Sequence, residues 1–434
     1  MSEMNPADIL DLEITGLAPG GKGLARAPDG RVVFVLGALP QERVRARVQT
    51  VRSHYLEAEA TEVLQACTQR VQPRCSLYHA CGGCDLMHLE YGAQVLAKAQ
   101  WVEQALSRLE DTPRAHTIGS EECWGWRNRV RFQVIGDQLG FFARGSHELV
   151  VVDHCPIAAP GVNQVLNLLL DRLKKAPIPN PAWIEVLAGP DGPAFITLGF
   201  DHQTGPPPEA VSDWQQWAKE HDLGGVRFVS GSRNRRWQPS RENGLVYFQK
   251  AGLKMRAYPG IFCQANFSTN QSLINTILES ANGRGRALEL YAGSGNFSLP
   301  LAQAGWQVLA LEGQAQAVQA CRFQAQVNKL TDSLEVRNQA VGPGLKRLVQ
   351  DQQAFDLVVL DPPRAGAKGL MPQIAALNPR RVIYVSCHPA ALARDAAHLI
   401  RVGYGFNSLT IVDMFPHTAQ VESVLVLDRE QADE

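Results

Sequence analysis

The segment LELYAGSGNFSLPLA, residues 288–302, joins a short apolar strand to a glycine-rich loop and a helix. Gly293 and Gly295 permit a tight turn and let a ligand approach the backbone over the end of the strand. A dinucleotide-binding loop would carry a third glycine at position 298, where this chain has Ser298. Glu312 ends the next strand about 20 residues further on, where an acidic side chain commonly accepts hydrogen bonds from a ribose.

Strand and helix patterns alternate around this segment, from about residue 260 to the end. The strands are ALEL, WQVLALE, SLEVRNQAV, FDLVVLD and RVIYVSC. Such alternation predicts a parallel, doubly wound sheet. The last two strands, SLTIVDMF and SVLVL, must be antiparallel, because a parallel crossover needs about a dozen residues or more. The missing glycine, the acid at the second strand end and the antiparallel last strand together favour S-adenosylmethionine over NAD.

Three motifs place reactive side chains at the carboxyl edge of this sheet. Asp361 follows a strand in FDLVVLDPPRAG, where two prolines stiffen the turn that presents it. Cys387 ends a strand in RVIYVSCHPAALARD, at a position suited to a nucleophile, although a lone cysteine is more often a buried structural residue. Glu422 begins the last strand in MFPHTAQVESVLVL. It is either a strand-end residue facing water or, if it lies beside Cys387, a general base.

A cysteine cluster precedes the doubly wound part of the chain. Cys75, Cys81 and Cys84 follow one another with Gly82–Gly83 between the last two, and Cys155 stands some 70 residues later. Four such cysteines can hold zinc or an iron–sulfur cluster, and the spacing alone does not separate the two. The remaining cysteines have no comparable spacing and are interpreted as small apolar residues.

The N-terminal residues 8–65 contain short strands separated by glycine-rich turns, which predicts a small β-barrel. In one strand Arg43, Arg45 and Arg47 alternate with apolar residues, and no acid stands between Arg43 and His54. We therefore interpret this face as a phosphate-binding surface rather than a solvated one. Similar basic features follow at Arg127, Arg129 and Arg131, and in SGSRNRRWQPSR, residues 230–241, where the alternative is a solvated loop.

Composition narrows the class of protein further. At about 150 residues per domain, a chain of 434 residues suggests two or three domains, and a composition of 45% hydrophobic residues allows folded cores. Lys and Arg number 42 against 43 acids, so a nucleic acid would have to be bound by local basic faces. The first residues resemble no signal peptide, and no apolar run approaches the roughly 18 residues of a membrane span. With nine cysteines, an odd number, we expect a soluble cytoplasmic protein without a disulfide framework.

Taken together, these motifs resemble the RNA uridine-5-methyltransferase family over nearly the whole chain. The specific motifs are DPPRAG, SCHPAALARD and the final VESV. The family usually has Asn where this chain has His388, which leaves the role of His388 open. The resemblance implies three domains: a TRAM-type, OB-like RNA-binding β-barrel (1–66), a central α+β iron–sulfur domain (67–259) and an α/β class I S-adenosylmethionine-dependent methyltransferase domain (260–434).

The resemblance also implies the functional residues. Cys387 would be the nucleophile and Glu422 the base, and Phe262 would lie near a flipped base. The methyl donor would be bound by Gln264, Tyr291, Asn296, Glu312 and Asp361. A [4Fe–4S] cluster, as in the ribosomal-RNA branch of the family, would be bound by Cys75, Cys81, Cys84 and Cys155.

The chemistry explains why a nucleophile and a base are both required. Carbon 5 of uracil is a poor nucleophile, but attack of a thiolate on carbon 6 gives carbon 5 carbanion character, so that it can take the sulfonium methyl group. Loss of the carbon-5 proton then expels the cysteine and restores the ring. The target base must leave its stack to reach such a pocket, which favours loop or single-stranded RNA.

The substrate is expected to be RNA and the enzyme a monomer. The complete cysteine set favours 23S ribosomal RNA, with transfer RNA as the alternative. An exocyclic-amine methyltransferase would share the glycine loop and Asp361, but it would have no use for Cys387 and Glu422, and Arg364 replaces its usual aromatic residue. A non-catalytic, cluster-bearing RNA-binding protein is a third possibility, which the intact donor site and nucleophile argue against.

Overall fold

The fold is given by a computed structural model that describes residues 4–175, 181–190, 192–200, 206, 208–230, 244–248 and 252–430. The arginines of the basic segment 230–241 lie outside the described residues, as does Trp237. They are Arg233, Arg235, Arg236 and Arg241.

The N-terminal strands form one six-stranded sheet in the order β1-β5-β6-β4-β3-β2. The bounds are β1 (Ile9–Glu13), β2 (Gly16–Leu17), β3 (Gly23–Arg26), β4 (Val32–Leu36), β5 (Arg43–Val51) and β6 (Tyr55–Gln65). The pairs are antiparallel except β4 with β6. Val44, Ala46 and Val48 of β5 are buried while the arginines between them are exposed, as the alternation predicts.

The central part of the chain is built on a second six-stranded sheet, ordered β10-β9-β8-β11-β12-β13. Its strands are β8 (Arg129–Ile135), β9 (Gln138–Phe142), β10 (Leu149–Val151), β11 (Trp183–Leu187), β12 (Phe195–Phe200) and β13 (Gly225–Ser230). The described residues of this part of the chain also form α2 (Pro160–Lys175) and α3 (Pro208–Glu220). Leucines and valines of α2 share one apolar core with Trp214 and Trp217 of α3 and with the inner face of the sheet.

A short hairpin and a helix follow, namely β14 (Leu245–Phe248), β15 (Lys254–Ala257) and α4 (Phe267–Ala281). The C-terminal sheet then begins with β16 (Arg286–Leu290). It continues as α5 (Ser298–Gln303), β17 (Gln307–Glu312), α6 (Ala315–Val327), β18 (Leu334–Asn338), α7 (Val341–Gln350), β19 (Leu357–Leu360), α8 (Met371–Ala376), β20 (Arg381–Ser386), α9 (Pro389–Arg401), β21 (Tyr404–Val412) and β22 (Ser423–Arg429).

Strand order in the C-terminal sheet confirms the predicted doubly wound fold. It is β18-β17-β16-β19-β20-β22-β21-β7, with β7 at His116–Ile118. The first five strands are parallel, and β22 runs antiparallel to both β20 and β21. All four residues of β19 are fully buried, as expected for a parallel strand covered on both faces.

The segment around α1 (Tyr91–Leu106) and β7 packs with the C-terminal sheet although it precedes the central sheet in sequence. β7 pairs in parallel with β21, from Thr410 opposite His116 to Val412 opposite Ile118. Ala99, Val102 and Leu106 of α1 belong to the same apolar core as β19 and β20. A strand of three residues carries too weak a pattern to be assigned to a sheet from sequence.

The domain boundaries at 66/67 and 259/260 stay a prediction.

Candidate active site and cysteine cavity

The glycine loop turns sharply at the end of β16, as the sequence predicts. Gly293 has φ +55° and Gly295 has φ +96°. A Cβ atom at Gly295 would stand 2.8 Å from the sulfur of Cys321 and 2.9 Å from Leu299, so the loop can pass there only as glycine. Tyr291 also has a positive φ, +62°, which is rare for an aromatic residue.

Side chains from two neighbouring elements surround this loop. The Glu312 carboxylate accepts hydrogen bonds from the backbone amides of Gly293 (2.9 Å) and Gln314 (2.7 Å). Asn296 and Asn270 exchange two amide hydrogen bonds of 2.8 and 2.9 Å, which ties the loop to α4. Gln264 lies two residues before the N-cap of α4 and is buried. The predicted donor residues of β16, β17 and β19 therefore lie at one sheet edge, because these strands are neighbours.

Cys387 and Glu422 stand side by side at that same edge. Cys387 directly follows β20 and Glu422 directly precedes β22, and Ser386 is paired with Ser423 in the register of these two strands. The Ser423 hydroxyl donates to the Ser386 carbonyl at 2.9 Å, which fixes the strands at this point. Glu422 is 4% exposed, and its Oε1 has no hydrogen-bond partner among the residues that the structure describes. Adjacent strands thus bring together a thiol and a buried carboxyl group 35 residues apart in sequence.

Three acidic groups at this edge have a raised pKa, and burial is the first cause for each of them. Burial raises the pKa of Asp361 to about 7, and burial together with the Asp361 charge raises the pKa of Glu422. Burial, then Glu422 and Asp361, raise the pKa of the Cys387 thiol to about 11. At neutral pH the thiol is therefore protonated in the protein alone, and the carboxyl pair carries less than two negative charges.

His388 caps a helix, a role that the sequence did not indicate. It is the N-cap of α9, and its Nδ1 accepts the Ala391 amide at 3.2 Å. An Asn side chain, which the family usually has at this position, is also a good N-cap. His388 in place of Asn therefore keeps the N-cap of α9, the helix that follows Cys387.

Two buried acids near the site were missed by the sequence analysis. Asp395 of α9 accepts the Ala367 amide at 2.8 Å and the Tyr384 hydroxyl at 2.7 Å, so it holds the loop that follows Asp361. Glu289 lies under the glycine loop and is hydrogen-bonded to Ser298, and burial raises its pKa to about 8. Acids at strand and helix positions that otherwise carry apolar residues are the signal that could have identified them.

The four predicted cluster cysteines line one cavity of about 420 Å³. Arg127, Arg131 and Arg144 line it too. Burial is the first cause of the raised thiol pKa of Cys81, Cys84 and Cys155, and a neighbouring cysteine raises each of them further. Gly82 passes close to the Phe142 carbonyl, where a Cβ would stand 3.1 Å away. Within the described ranges, no group of three or more His, Cys, Asp or Glu side chains is placed to hold a single metal ion.

The basic strand of the N-terminal barrel is not the uncompensated arginine face that the sequence suggested. Arg45 forms ion pairs with Asp11 (2.9 Å) on β1 and Glu62 (3.1 Å) on β6. Glu13 and Glu59 stand opposite Arg43 and Arg47 in the strand register. These acids come from neighbouring strands, so a scan along β5 alone does not find them. The phosphate-binding interpretation of this face is weakened accordingly.

In the second basic feature, Arg129 and Arg131 also bind groups of the protein itself. Arg129 donates to the carbonyls of Ile261 (2.7 Å) and Tyr258 (2.8 Å) and so holds the loop before α4. Arg131 lies over the ring of Trp183 at 4.1 Å and forms an ion pair with Glu185 at 3.3 Å. By contrast, Phe262 in the loop held by Arg129 is 67% exposed.

Comparison with known proteins agrees with this geometry. The structure of Pyrococcus abyssi tRNA (uracil-54, C5)-methyltransferase in complex with S-adenosyl-L-homocysteine is similar, with a TM-score of 0.74 and 20% identity; the match covers 96% of this chain and 100% of that one. A family model for the TRAM domain matches residues 7–61. The fold is thus that of a class I methyltransferase preceded by a TRAM domain. No described helix is long and apolar enough to span a membrane.

The particular family follows from a second family model and from the curated relatives. The model described as tRNA (Uracil-5-)-methyltransferase matches residues 90–430. Proteins named 23S rRNA (uracil(1939)-C(5))-methyltransferase RlmD are 36% identical in Halomonas elongata (96% of this chain, 89% of that protein) and 31% identical in Vibrio parahaemolyticus (96% and 95%). The chain belongs to the RNA uracil-5-methyltransferase family, whose members depend on S-adenosylmethionine.

Proposed function

We propose that this protein methylates carbon 5 of a uridine in 23S ribosomal RNA, with Cys387 as the nucleophile and Glu422 as the base. The observation that carries the proposal is the register of β20 and β22, which sets these two residues beside each other at the edge that also holds the glycine loop. An exocyclic-amine methyltransferase would have no need of such a pair. Ribosomal RNA is favoured by the names of the relatives and by the complete cysteine set.

Cys387 begins the reaction by bonding to carbon 6 of the uracil ring. Because its pKa is raised, the thiol must give its proton to water or a basic group as the carbon–sulfur bond forms, and the sulfur takes a proton back when it is expelled at the end. Carbon 5 then takes a methyl group, which S-adenosylmethionine supplies as a sulfonium methyl when bound. Glu422 removes the carbon-5 proton, and the electron pair of that bond restores the ring double bond and expels the Cys387 sulfur. The net products are the methylated uridine, S-adenosylhomocysteine and one proton.

We infer that the methyl donor lies over the glycine loop. Gln264, Tyr291, Asn296, Glu312 and Asp361 are the proposed donor-binding residues. Supporting this, Glu312 already directs its carboxylate at the loop, and Asp361 is a half-buried acid at the end of the neighbouring strand β19, suited to a cationic ligand. Asn296 is held by Asn270, so its amide is oriented before any ligand binds.

The cysteine cavity is proposed to hold a [4Fe–4S] cluster bound by Cys75, Cys81, Cys84 and Cys155. Four thiols that line one cavity suit iron–sulfur ligation, and three arginines nearby offset the charge of thiolate ligands; His154 also lines the cavity. A cluster is larger than one ion, so its ligand sulfurs stand further apart than those around zinc. In the described part of the chain the cysteines are not gathered closely enough to hold a single ion, while all four line one cavity.

The remaining parts of the proposal concern RNA binding and assembly. The TRAM domain is proposed to bind the RNA, with residues 1–66, 67–259 and 260–434 as the three domains. All of the proposed catalytic residues come from one chain, which supports a monomer. A cytoplasmic location is proposed, because ribosomal RNA is the expected substrate.

Mapping of 5-methyluridine in 23S ribosomal RNA and in transfer RNA tests the proposal. Cells that lack the gene should lose one such nucleotide from 23S ribosomal RNA, and the unmodified gene should restore it while a Cys387→Ala gene should not. Loss from transfer RNA alone would assign the enzyme to the other substrate. An unchanged nucleoside profile in both RNAs, or a loss confined to amino-methylated bases, would refute uridine-5 methylation.

A further inference from the structure

The connection between β21 and β22, residues 413–421, leads directly to the proposed base. Glu422 follows it, so the path of this connection sets where the carboxylate lies. Two residues of α1 hold it. Lys98 donates to the Asp413 carboxylate at 2.6 Å and to the Phe415 carbonyl at 2.9 Å. The Gln94 side-chain oxygen accepts the His417 amide at 2.9 Å.

His417 is the strained residue of this connection. Its φ is +67°, a conformation that residues other than glycine rarely adopt. Trp124 stacks on its ring with centroids 3.9 Å apart. Such a conformation persists only where the surroundings fix it, so the contacts made to His417 contribute to the path of the connection.

Asp85 joins the same connection to the cysteine cavity. It directly follows Cys84, and the amides of Asp85 and Leu86 both donate to the His417 carbonyl at 3.0 Å. One oxygen of the Asp85 carboxylate accepts the Ala419 amide at 3.0 Å, and the other accepts Arg144 at 2.6 Å. Arg144 lines the cavity and also donates to the Cys84 carbonyl.

We propose that Asp85 is a positioning residue for Glu422. Through Asp85 the cysteine site would then influence the removal of the carbon-5 proton. The inference rests on the proposed role of Glu422 as the base. Asp85 fixes backbone three to five residues before Glu422 and is itself fixed by Arg144 and by the cysteine loop. Cys387 lies on a different connection, between β20 and α9. Loss of Asp85 should therefore slow the release of the cysteine from methylated RNA and spare its attack on carbon 6.

The test follows the covalent protein–RNA adduct over time in the full-length protein. Asp85→Ala is expected to form the adduct at the normal rate and to resolve it about tenfold more slowly, with an unchanged affinity for S-adenosylmethionine and unchanged iron per chain. Asp85→Asn keeps an oxygen for the Ala419 amide, so its rate of adduct resolution should lie between those of the unmodified protein and Asp85→Ala. Glu90→Ala is the matched control, because that carboxylate accepts the Ala93 amide at 3.0 Å and caps α1. It should resolve the adduct normally.

Several results would overturn this role. They are an unchanged rate of resolution in Asp85→Ala, equal slowing of adduct formation and resolution, an equal effect in Glu90→Ala, and a loss of iron in Asp85→Ala. If Asp85→Ala is insoluble, the resolution rate of Asp85→Asn decides the question. Glu422→Gln, measured in parallel, separates the two proposals: normal resolution there refutes the base itself, whereas a stalled Glu422→Gln beside a normal Asp85→Ala refutes only the positioning role.

Discussion

Cys387 and Glu422 take part at opposite ends of the proposed reaction, so their variants should fail differently. Cys387→Ala should form no covalent bond to RNA, because the nucleophile is absent. Glu422→Gln should attack and methylate, then stall as a methylated covalent adduct, because the carbon-5 proton has no acceptor. A denaturing gel of each variant with RNA and S-adenosylmethionine, followed by a nucleoside digest, distinguishes these outcomes.

The digest matters because an unmethylated adduct would place Glu422 earlier in the reaction. A fully active Glu422→Gln would remove this residue from the mechanism. An active Cys387→Ala would refute attack by the Cys387 thiol. Cys123→Ala provides a control for thiol loss, since Cys123 is half-buried and lies outside the paired strand ends.

If Asp361 binds the methyl donor as proposed, donor binding should depend on pH. The Asp361 pKa of about 7 means that the carboxyl group is largely neutral below pH 7 and ionised above it. A sulfonium cation binds the ionised form more tightly, so the Kd for S-adenosylmethionine should fall as pH rises from 6 to 8, by at most about tenfold per pH unit. Titration calorimetry at three pH values measures this change.

S-adenosylhomocysteine supplies the matched comparison, because it lacks the sulfonium charge and should show a weaker pH dependence. Asp361→Asn should weaken donor binding and flatten the profile. A steep profile that survives in Asp361→Asn would assign the titration to another group.

At the scale of elements, the ion pair of Lys98 and Asp413 fastens α1 to the end of β21. Both side chains are fully buried, with Nζ and Oδ1 2.6 Å apart. Lys98→Met leaves a buried carboxylate without its cation and should lower the free energy of unfolding by about 3–5 kcal/mol. Lys98→Met with Asp413→Leu should recover part of this loss. Denaturant unfolding of the three proteins measures the difference.

Lys22→Met is the control substitution. Its partner Glu57 is also 2.6 Å away, but the two side chains are 37% and 38% exposed, so the loss should stay below about 1 kcal/mol. Equal losses in Lys98→Met and Lys22→Met would show that burial does not determine the strength of the α1 attachment.

Elements with a strong local pattern were predictable from the sequence, and contacts between distant elements were not. The strand–loop–helix of residues 288–302 and the antiparallel last pair follow from periodicity and connection length. Asp11 and Glu62 lie 34 and 17 residues from the arginine that they neutralise, and Asp85 lies more than 300 residues from Ala419. Such pairs can be identified only when the strand register or the packing is known. The motifs at the sheet edge were found because parallel strands deliver their carboxyl ends to one place.

At the scale of the whole molecule, the cysteine cavity lies against the central sheet, and Asp85, next to Cys84, contacts the connection that precedes Glu422. Cys81 and Cys84 come from the loop before α1, while Cys155 follows β10 of the central sheet. A bound cluster would therefore join segments some 70 residues apart, and its loss should loosen the central part of the protein more than the C-terminal sheet. The apolar cores of the C-terminal sheet are separate from this cavity.

Protein purified without oxygen should accordingly be brown and contain iron and inorganic sulfide, with about four of each per chain. Cys81→Ser should lose the colour and much of the soluble yield, because one ligand is missing from a site that holds separate segments together. Cys67→Ser should keep both, since Cys67 is half-buried and lies outside the cavity. Metal analysis, sulfide assay and visible absorption measure these outcomes. A colourless protein with stoichiometric zinc would refute the cluster, and a colourless but fully soluble Cys81→Ser would show that the cavity is not needed to hold the segments together.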